Sequence, residues 1–230
     1  DISPGFGNKT ASDTIYDWAF DSSGRIIVIG HFHSYKIYRD VDTSCCEYII
    51  RILNNSTGTL DTTFDSSGGI GRPWYHTGTY NEINSVYIDS SDKSNSIYIT
   101  GDFQYWREYY SRRLAKINEN GTYNTQFDVS YGWTYGTSKV YKDKLGRIIV
   151  GGFNRYYETS RATWNLRKSF TALNASTAET DITFDVSTGF SGGSVYDIKE
   201  DKFGNIYAVG SFNTHLGDSS ICLIAKFDVS

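Results

Sequence analysis

The sequence predicts an all-β chain in which one small antiparallel unit is used four times. Three observations predict it. Short runs alternate apolar and polar residues at period two. Asp-x-x-Gly turns join those runs to nearly continuous apolar strands. A segment ending in Gly-x-Phe recurs along the chain. No run of useful length has a 3.6-residue period, and only the 154–168 loop has room for a helical turn.

The recurring segment first reads Asp21-Ser-Ser-Gly24-Arg-Ile-Ile-Val-Ile-Gly30-His-Phe32. It returns as Asp143-Lys-Leu-Gly146-Arg-Ile-Ile-Val-Gly151-Gly-Phe153 and as Asp201-Lys-Phe-Gly204-Asn-Ile-Tyr-Ala-Val-Gly210-Ser-Phe212. A copy with a longer turn runs through Ile97-Tyr-Ile-Thr-Gly101-Asp-Phe103. Gly30, Gly101, Gly151 and Gly210 lie 71, 50 and 59 residues apart, so the unit is about 60 residues long.

Each unit opens on an alternating, half-buried strand: Ile15 to Phe20, Ile83 to Ile88, Val140 to Tyr141, Val195 to Ile198. A tight turn follows, in which Gly supplies the positive φ. The next strand is apolar throughout, as expected of a strand covered on both faces. A polar loop leads to a third strand: Tyr48 to Leu53, Leu114 to Ile117, Phe170 to Leu173, Ile221 to Phe227. A Gly/Thr/Asp-rich turn then closes on Phe64-Asp65, Phe127-Asp128 or Phe184-Asp185. Three to four short antiparallel strands per unit, repeated radially, describe the blade of a β-propeller. The expectation is one four-bladed β-propeller domain over residues 1–230, closed on itself or extended by strand exchange, with repeats at about 1–65, 66–128, 129–185 and 186–230. The Gly of Gly-x-Phe is expected where strands crowd near the axis, and its Phe in the core between blades.

These pieces, with Leu114-Ala-Lys-Ile-Asn118 and Gly58-Thr-Leu-Asp-Thr-Thr-Phe64, resemble the delta-60 repeat β-propeller family over essentially the whole chain. The resemblance implies an exported bacterial or phage protein, in a family often built as large repeat arrays, without an assigned catalytic activity. The chain departs from the pattern in its long linking loops and its irregular second and third repeats.

Composition excludes several classes. Twenty-two Lys and Arg against 26 Asp and Glu give a net charge of −4, which offers no broad footprint for nucleic acid. The Arg107 to Arg113 stretch holds three arginines among tyrosines, too little charge for a nucleic-acid groove. No apolar run is long enough for a transmembrane helix. Three cysteines form an odd set. Either Cys45 or Cys46 pairs with Cys222, leaving one over, or all three stay buried and unpaired. Asn-x-Ser/Thr triplets at Asn8, Asn54, Asn55, Asn120 and Asn174 read as polar turn composition or as glycan acceptors on an exported chain.

The first residue is Asp1 rather than Met, which reads as a removed leader or a piece of a longer product. Asp1-Ile2-Ser3-Pro-Gly-Phe6 aligns with Asp185-Val-Ser-Thr-Gly-Phe190 and with Asp128-Val-Ser-Tyr-Gly-Trp133. Phe227-Asp-Val-Ser230 aligns with Ile117-Asn-Glu-Asn120, so the last unit stops before its closing turn. An unpaired strand edge must be covered. The opening segment is expected to close its own ring or to complement the last blade of a neighbouring copy; otherwise the chain is one piece of a longer array.

Three residues beyond each Gly-x-Phe stands Tyr35, Trp106, Tyr156 or His215. Repeat equivalence places these on loops at one end of the blades. They read as a partner-contact rim with Tyr105, Tyr109, Tyr110 and Tyr157, or as packing under the loops. His31 and His33 share a side of one strand but want a third metal ligand. Asp40 with Asp42, and Asp89 with Asp92, read as turn chemistry rather than calcium ligands. Nothing in the spacing brings any two of Asp17, Asp102, Asp197 and Glu200 together as a hydrolytic pair. No catalytic residue, metal or cofactor is therefore expected. The expected function is a non-catalytic extracellular structural module, on a cell or virion surface, that assembles with copies of itself into a fibre by N-terminal strand complementation. The alternative is a phage tail, virion or adhesin module that binds glycans or protein through aromatic loops.

Overall fold

The structure is a computed structural model that describes residues 14–31, 47–53, 58–64, 82–91, 94–106, 109–129, 132–133, 135–157, 167–184, 189–191, 193–212, 214–215 and 223–227. Among the described residues every regular element is a strand, and all strand pairs are antiparallel. β1 (Thr14–Phe20), β2 (Ile26–His31) and β3 (Glu47–Ile52) make the first sheet in that order. β4 (Glu82–Asp89) and β5 (Ser96–Asp102) open the second. A small hairpin, β6 (Tyr105–Trp106) with β7 (Tyr109–Tyr110), precedes its third strand, β8 (Leu114–Ile117). β9 (Gly132–Trp133) pairs with the far end of the third sheet, which comprises β10 (Thr137–Lys142), β11 (Arg147–Tyr157) and β12 (Arg167–Asn174). Before the fourth sheet comes β13 (Phe190–Ser191). That sheet is β14 (Val195–Glu200), β15 (Ile206–Gly210) and β17 (Ile224–Phe227); between its last two strands lies β16 (Thr214–His215), paired with β13. β11 runs through Tyr157, so the described start of the 154–168 stretch is strand and not a helical turn.

The first hairpin turn is built the same way in the first, third and fourth sheets. Gly24, Gly146 and Gly204 have φ of 74°, 83° and 94°, which an L side chain resists. The Asp before them accepts backbone N–H groups across the turn: Ser23 and Arg25 on Asp21, Arg147 on Asp143, Phe203 and Asn205 on Asp201. The residue after the Gly then folds its side chain back onto the same carboxylate, as Arg25, Arg147 or Asn205. The Asp-x-x-Gly signature is thus an Asx turn plus a side-chain clasp. In the second sheet the longer turn uses Asp89, which accepts from Ser91, and Asn95 at φ 46°.

The first strand of each main sheet (β1, β4, β10 and β14), an edge strand labelled inner because these four strands lie beside one another, carries one bulge at the same register: between Ile15/Asp17, Ile83/Ser85, Thr137/Lys139 and Val195/Asp197. Opposite it stand Gly30, Gly101, Gly152 and Gly210. The expectation of Gly151 in the third copy is therefore corrected by one residue. Gly146 to Gly152 spans the same 6 residues as Gly24 to Gly30, and Gly151 takes the place of Ile29. A Cβ at Gly30, Gly101 or Gly210 would be driven into the carbonyl of Thr14, Glu82 or Ser194; one at Gly152 would meet the Thr137 Cα. The missing side chain lets the bulged inner strand lie against its own neighbour.

The sheets pack face to face in chain order. Ile27, Ile29, Ile49 and Phe64 of the first unit share a core with Ile83, Val86 and Ile88 of the second. Tyr98, Leu114 and Phe127 meet Val140, Ile148 and Val150 of the third. Ile149, Phe170 and Phe184 meet Val195, Ile198 and Ile206 of the fourth. Phe64, Phe127 and Phe184 each follow a turn whose Asp or Asn carbonyl accepts their N–H, and each points toward the next sheet. The inner strands follow suit: β1 lies beside β4, β4 beside β10, β10 beside β14. Asp17 on β1 accepts from Ser85 Oγ (2.9 Å) and the Val86 N–H (3.1 Å), and lies 3.5 Å from Lys139 Nζ on β10.

Candidate interaction faces

Because the bulges fix the register, each sheet position has counterparts in the other sheets. Each sheet has a rear face toward the sheet before it and a forward face toward the sheet after it. On the rear face of the inner strand, Val86, Val140 and Ile198 are 6%, 2% and 1% exposed, whereas Trp18 at the same position in the first sheet is 55% exposed. Two residues on, Ile88 is buried and Phe20 is 55% exposed. The two bare rings touch edge to face, 5.2 Å between centroids. The rear face of the first sheet is buried at β2 and β3, through Val28, Ile50 and Ile52, so the bare part is its inner strand.

The other end of the row mirrors this. On the forward face Ile49, Leu114 and Phe170 are buried in the first three sheets, and the matching Ile224 of the fourth is 56% exposed. Ile29 and Thr100 are fully buried; the matching Val209 is 38% exposed. A cation also recurs here. Arg51 donates through Nη1 to the Glu119 carbonyl, at 2.5 Å, and Lys116 Nζ to the Ala175 carbonyl, at 2.9 Å. Glu119 and Ala175 are equivalent, each heading the turn after a third strand. The fourth sheet places Lys226 at this position, and Lys226 is exposed.

Charged pairs tie the covered interfaces together. Between the first two sheets, Arg25 joins Asp21 to Glu119; within the first unit, Arg51, which also reaches the Glu119 carbonyl, pairs with Asp61 at 2.7 Å. Burial pushes the Asp61 carboxyl up. Hydrogen bonds from the Thr63 hydroxyl and N–H and from Arg51 outweigh this and hold it below the usual carboxylate range. Lys142 bonds Asp89 between the second and third sheets; there too burial raises the carboxyl, and Lys142 with Ser91 brings it below normal. Between the third and fourth, Tyr141 donates to Glu200 at 2.9 Å. Burial and that carboxylate push the Tyr141 hydroxyl up. Tyr87, buried near Asp89 and Glu200, is pushed up to about 12.

The residues singled out in the sequence fall unevenly. Trp106 is fully buried in the core of the first two sheets and is no rim residue. Nor does its row lie on loops. Trp106 pairs with Tyr109 and His215 with Phe190 as two-residue strands, and Tyr156, near the end of the long β11, pairs with Trp133. Asp1, Ile2, Ser3, Phe6, His33, Tyr35, Asp40, Asp42, Asp92, Asn8, Asn54, Asn55, Cys45, Cys46 and Cys222 lie outside the described residues. Asn120 is an exposed turn residue whose Oδ1 accepts from Thr122, and Asn174 is the exposed last residue of β12, whose Oδ1 accepts from the Ser176 and Thr177 N–H groups. The four carboxylates engage separate partners: Asp17 as above, Asp102 with Arg113 at 3.0 Å, Asp197 with the Ile198 N–H, Glu200 with Tyr141. Among the described residues no group of three or more His, Cys, Asp and Glu is placed to hold a metal ion, and no helix is long and apolar enough to cross a membrane.

Sequence reasoning missed Trp18, Phe20, Val209 and Ile224, the bare positions at the two ends of the row. Within their strands they alternate like covered residues; the one signal lay in their place in the repeat, apolar residues on a terminal unit where a capping unit carries polar ones. No protein-family model matches the chain, and no curated protein matches it.

Proposed function

We propose that the chain is a non-catalytic structural module, an incomplete β-propeller whose four sheets are its blades, and that it self-assembles on the outside of a cell or virion through its two bare end faces. One observation carries this reading. Trp18 and Phe20 are exposed at positions whose counterparts in the next sheet, Val86 and Ile88, are buried against a neighbour. Terminal units of such arrays remain soluble by turning a polar face outward. Here each end exposes apolar side chains, Trp18 and Phe20 at one and Val209 and Ile224 at the other, and clustered exposed apolar groups mark a protein–protein contact. The propeller reading draws support from the inner strands. Asp17 on the first sheet reaches Lys139 on the third while bonding Ser85 on the second, as strands gathered near a common axis would.

Strand complementation by residues 1–6 has less support than face-to-face docking. The two segments aligned with 1–6 carry Trp133 and Phe190, and both pair within their own unit, with Tyr156 and His215. Light scattering on size-fractionated protein tests the reading. Mass rising with concentration, with multimeric particles in electron micrographs, is the expected result. A monodisperse monomer across the accessible range overturns it.

A further inference from the structure

We infer that the turn end of the third and fourth units rests on a lipid bilayer and dips three apolar tips into its interface. This contact is independent of self-assembly, because it uses strand ends and not sheet faces. Among the described large apolar side chains the three most exposed are Phe203, Ile182 and Leu145, at 78%, 77% and 63%. Each sits at the tip of a tight turn. Asp143-Lys-Leu-Gly146 and Asp201-Lys-Phe-Gly204 are the first-hairpin turns of their sheets, and Asp181-Ile-Thr-Phe184 closes the third unit. The three turns lie together. Lys144 donates its backbone N–H to Glu200 Oε1 at 3.2 Å and its ammonium to the Asp201 carbonyl at 2.7 Å, which joins the two hairpin turns. Arg147 Nη1 stands 3.8 Å from Asp181 Oδ2 and holds the closing turn beside them. In the first unit the matching tip residues are Ser23 and Thr62, and in the second Thr125 takes the place of Ile182. Scattered apolar residues on a surface mean little. Three neighbours, at positions that are polar elsewhere in the chain, mark a contact.

Two observations favour lipid over protein. The first is that the turns satisfy their own backbones. The N–H groups of Phe203 and Thr183 donate to the Asp201 and Asp181 carboxylates. Those of Gly146, Gly204 and Phe184 donate to the Asp143, Asp201 and Asp181 carbonyls. A turn with its polar groups paired internally enters an apolar medium at little cost. The second is that Lys144 precedes Leu145 and Lys202 precedes Phe203, with both lysines exposed. A lysine beside an apolar side chain suits a membrane interface, where the ammonium stays among headgroups while its neighbour goes deeper. Protein interfaces are instead depleted in lysine. The Lys144 ammonium is held by a neutral carbonyl, and Lys202 Nζ stands 4.9 Å from the Phe203 ring centroid. Glu179, Asp181, Glu200 and Asp201 lie at the same end, so the contact is apolar first and needs no anionic surface.

The test is cosedimentation of the full chain with sucrose-loaded vesicles of phosphatidylcholine, alone or mixed with phosphatidylserine, at low and high salt. The wild type is expected to pellet with phosphatidylcholine at either salt concentration, because burial of apolar tips is not screened. The double variant Leu145→Ser, Phe203→Ser is expected to partition at least about tenfold more weakly. Ile182→Ser is expected to act in the same direction. Trp18→Ser with Phe20→Ser alters an end face and no turn, and is expected to leave partitioning within about twofold of wild type. Circular dichroism melts check that each variant folds, and Phe203→Ser alone stands in for the double variant if that one does not. A wild type that pellets with neither vesicle overturns the lipid contact. So does partitioning that survives the turn substitutions. So does partitioning that needs phosphatidylserine and vanishes in high salt, which is adsorption by charge. Loss through Trp18 and Phe20 instead would move the lipid contact to the end face and overturn its assignment to the turns. Self-assembly is read by light scattering without vesicles, so its failure and that of the lipid contact are told apart.

Discussion

β1 and β4 are the same strand used in two settings. Both carry the bulge at the same register, both oppose a glycine, and both put apolar residues at the same rear-face positions. Ile83, Val86 and Ile88 of β4 are buried; Ile15, Trp18 and Phe20 of β1 are 46%, 55% and 55% exposed. Nothing in the strand itself distinguishes the two. Burial here belongs to the neighbour, and among the described residues only β4 has a sheet on that side. The construction of a sheet and the stacking of sheets are therefore separable, and substitutions should affect them separately.

The largest expected effect tests construction. Gly101 sits in a covered sheet and Gly210 in an end sheet, yet each faces a carbonyl of its own inner strand. Gly101→Val and Gly210→Val are both expected to cost roughly 3 kcal/mol or more, at the upper end of overpacking penalties. Urea denaturation of each variant checks this. If Gly210→Val is well tolerated while Gly101→Val is not, the close approach is a property of the interior alone and the equivalence of the two sheets fails.

Stacking is tested by a smaller, unequal pair. Ile88→Ala removes a side chain 7% exposed between two sheets and is expected to cost about 2–4 kcal/mol. Phe20→Ala, at the matching position, is expected to change the stability of an isolated copy by under about 0.5 kcal/mol despite removing a larger group. Equal losses measured at a dilution where copies are separate would mean that Phe20 is already covered within the chain.

The strands themselves were legible because their signals are local. Leu114 to Ile117 was read with the bounds it has, and the Asp-x-x-Gly turns announced both the hairpin and the carboxylate that holds it. The third-unit glycine was misplaced by one residue because Gly151-Gly152 offers two candidates. Only the pairing of Thr137 with Gly152 decides between them. In the aromatic row, Trp106 and His215 were placed on loops because two-residue strands leave no periodicity to read, and Tyr156 because β11 runs on past the Gly-x-Phe where the strand was expected to end. Burial of Trp106 follows from the sheets on either side, which its own sequence neighbourhood does not encode. The bare end faces escaped for the same reason: Trp18 and Phe20 alternate like any covered strand, and exposure is set by what fails to follow in space.

The smallest effect concerns how a carboxylate is held in the two settings. Asp61, between covered sheets, is held low by Thr63 and by the Arg51 guanidinium. Asp201, in the first turn of the end sheet, is held low without a cation. The Asn205 side chain is the main cause, burial opposes it, and the N–H groups of Asn205 and Phe203 and the Tyr207 hydroxyl add to it. Where the first and third sheets clasp the turn with Arg25 and Arg147, the fourth uses a neutral amide. A carboxyl lowered in the folded state ionises near pH 3.9 in the unfolded chain, so its stabilisation is fully present above that and is lost as pH falls through the folded value. Asp201→Asn should therefore lower the melting temperature slightly at neutral pH and flatten its fall through the acid range below about pH 4. Every donor to the Asp201 carboxylate is neutral, and the Lys144 ammonium reaches only the backbone carbonyl of Asp201, at 2.7 Å, so added salt should change the difference between variant and wild type little. A difference that shrinks steadily with salt would mean that a cation acts on this carboxylate, and that the end sheet is clasped like the covered ones.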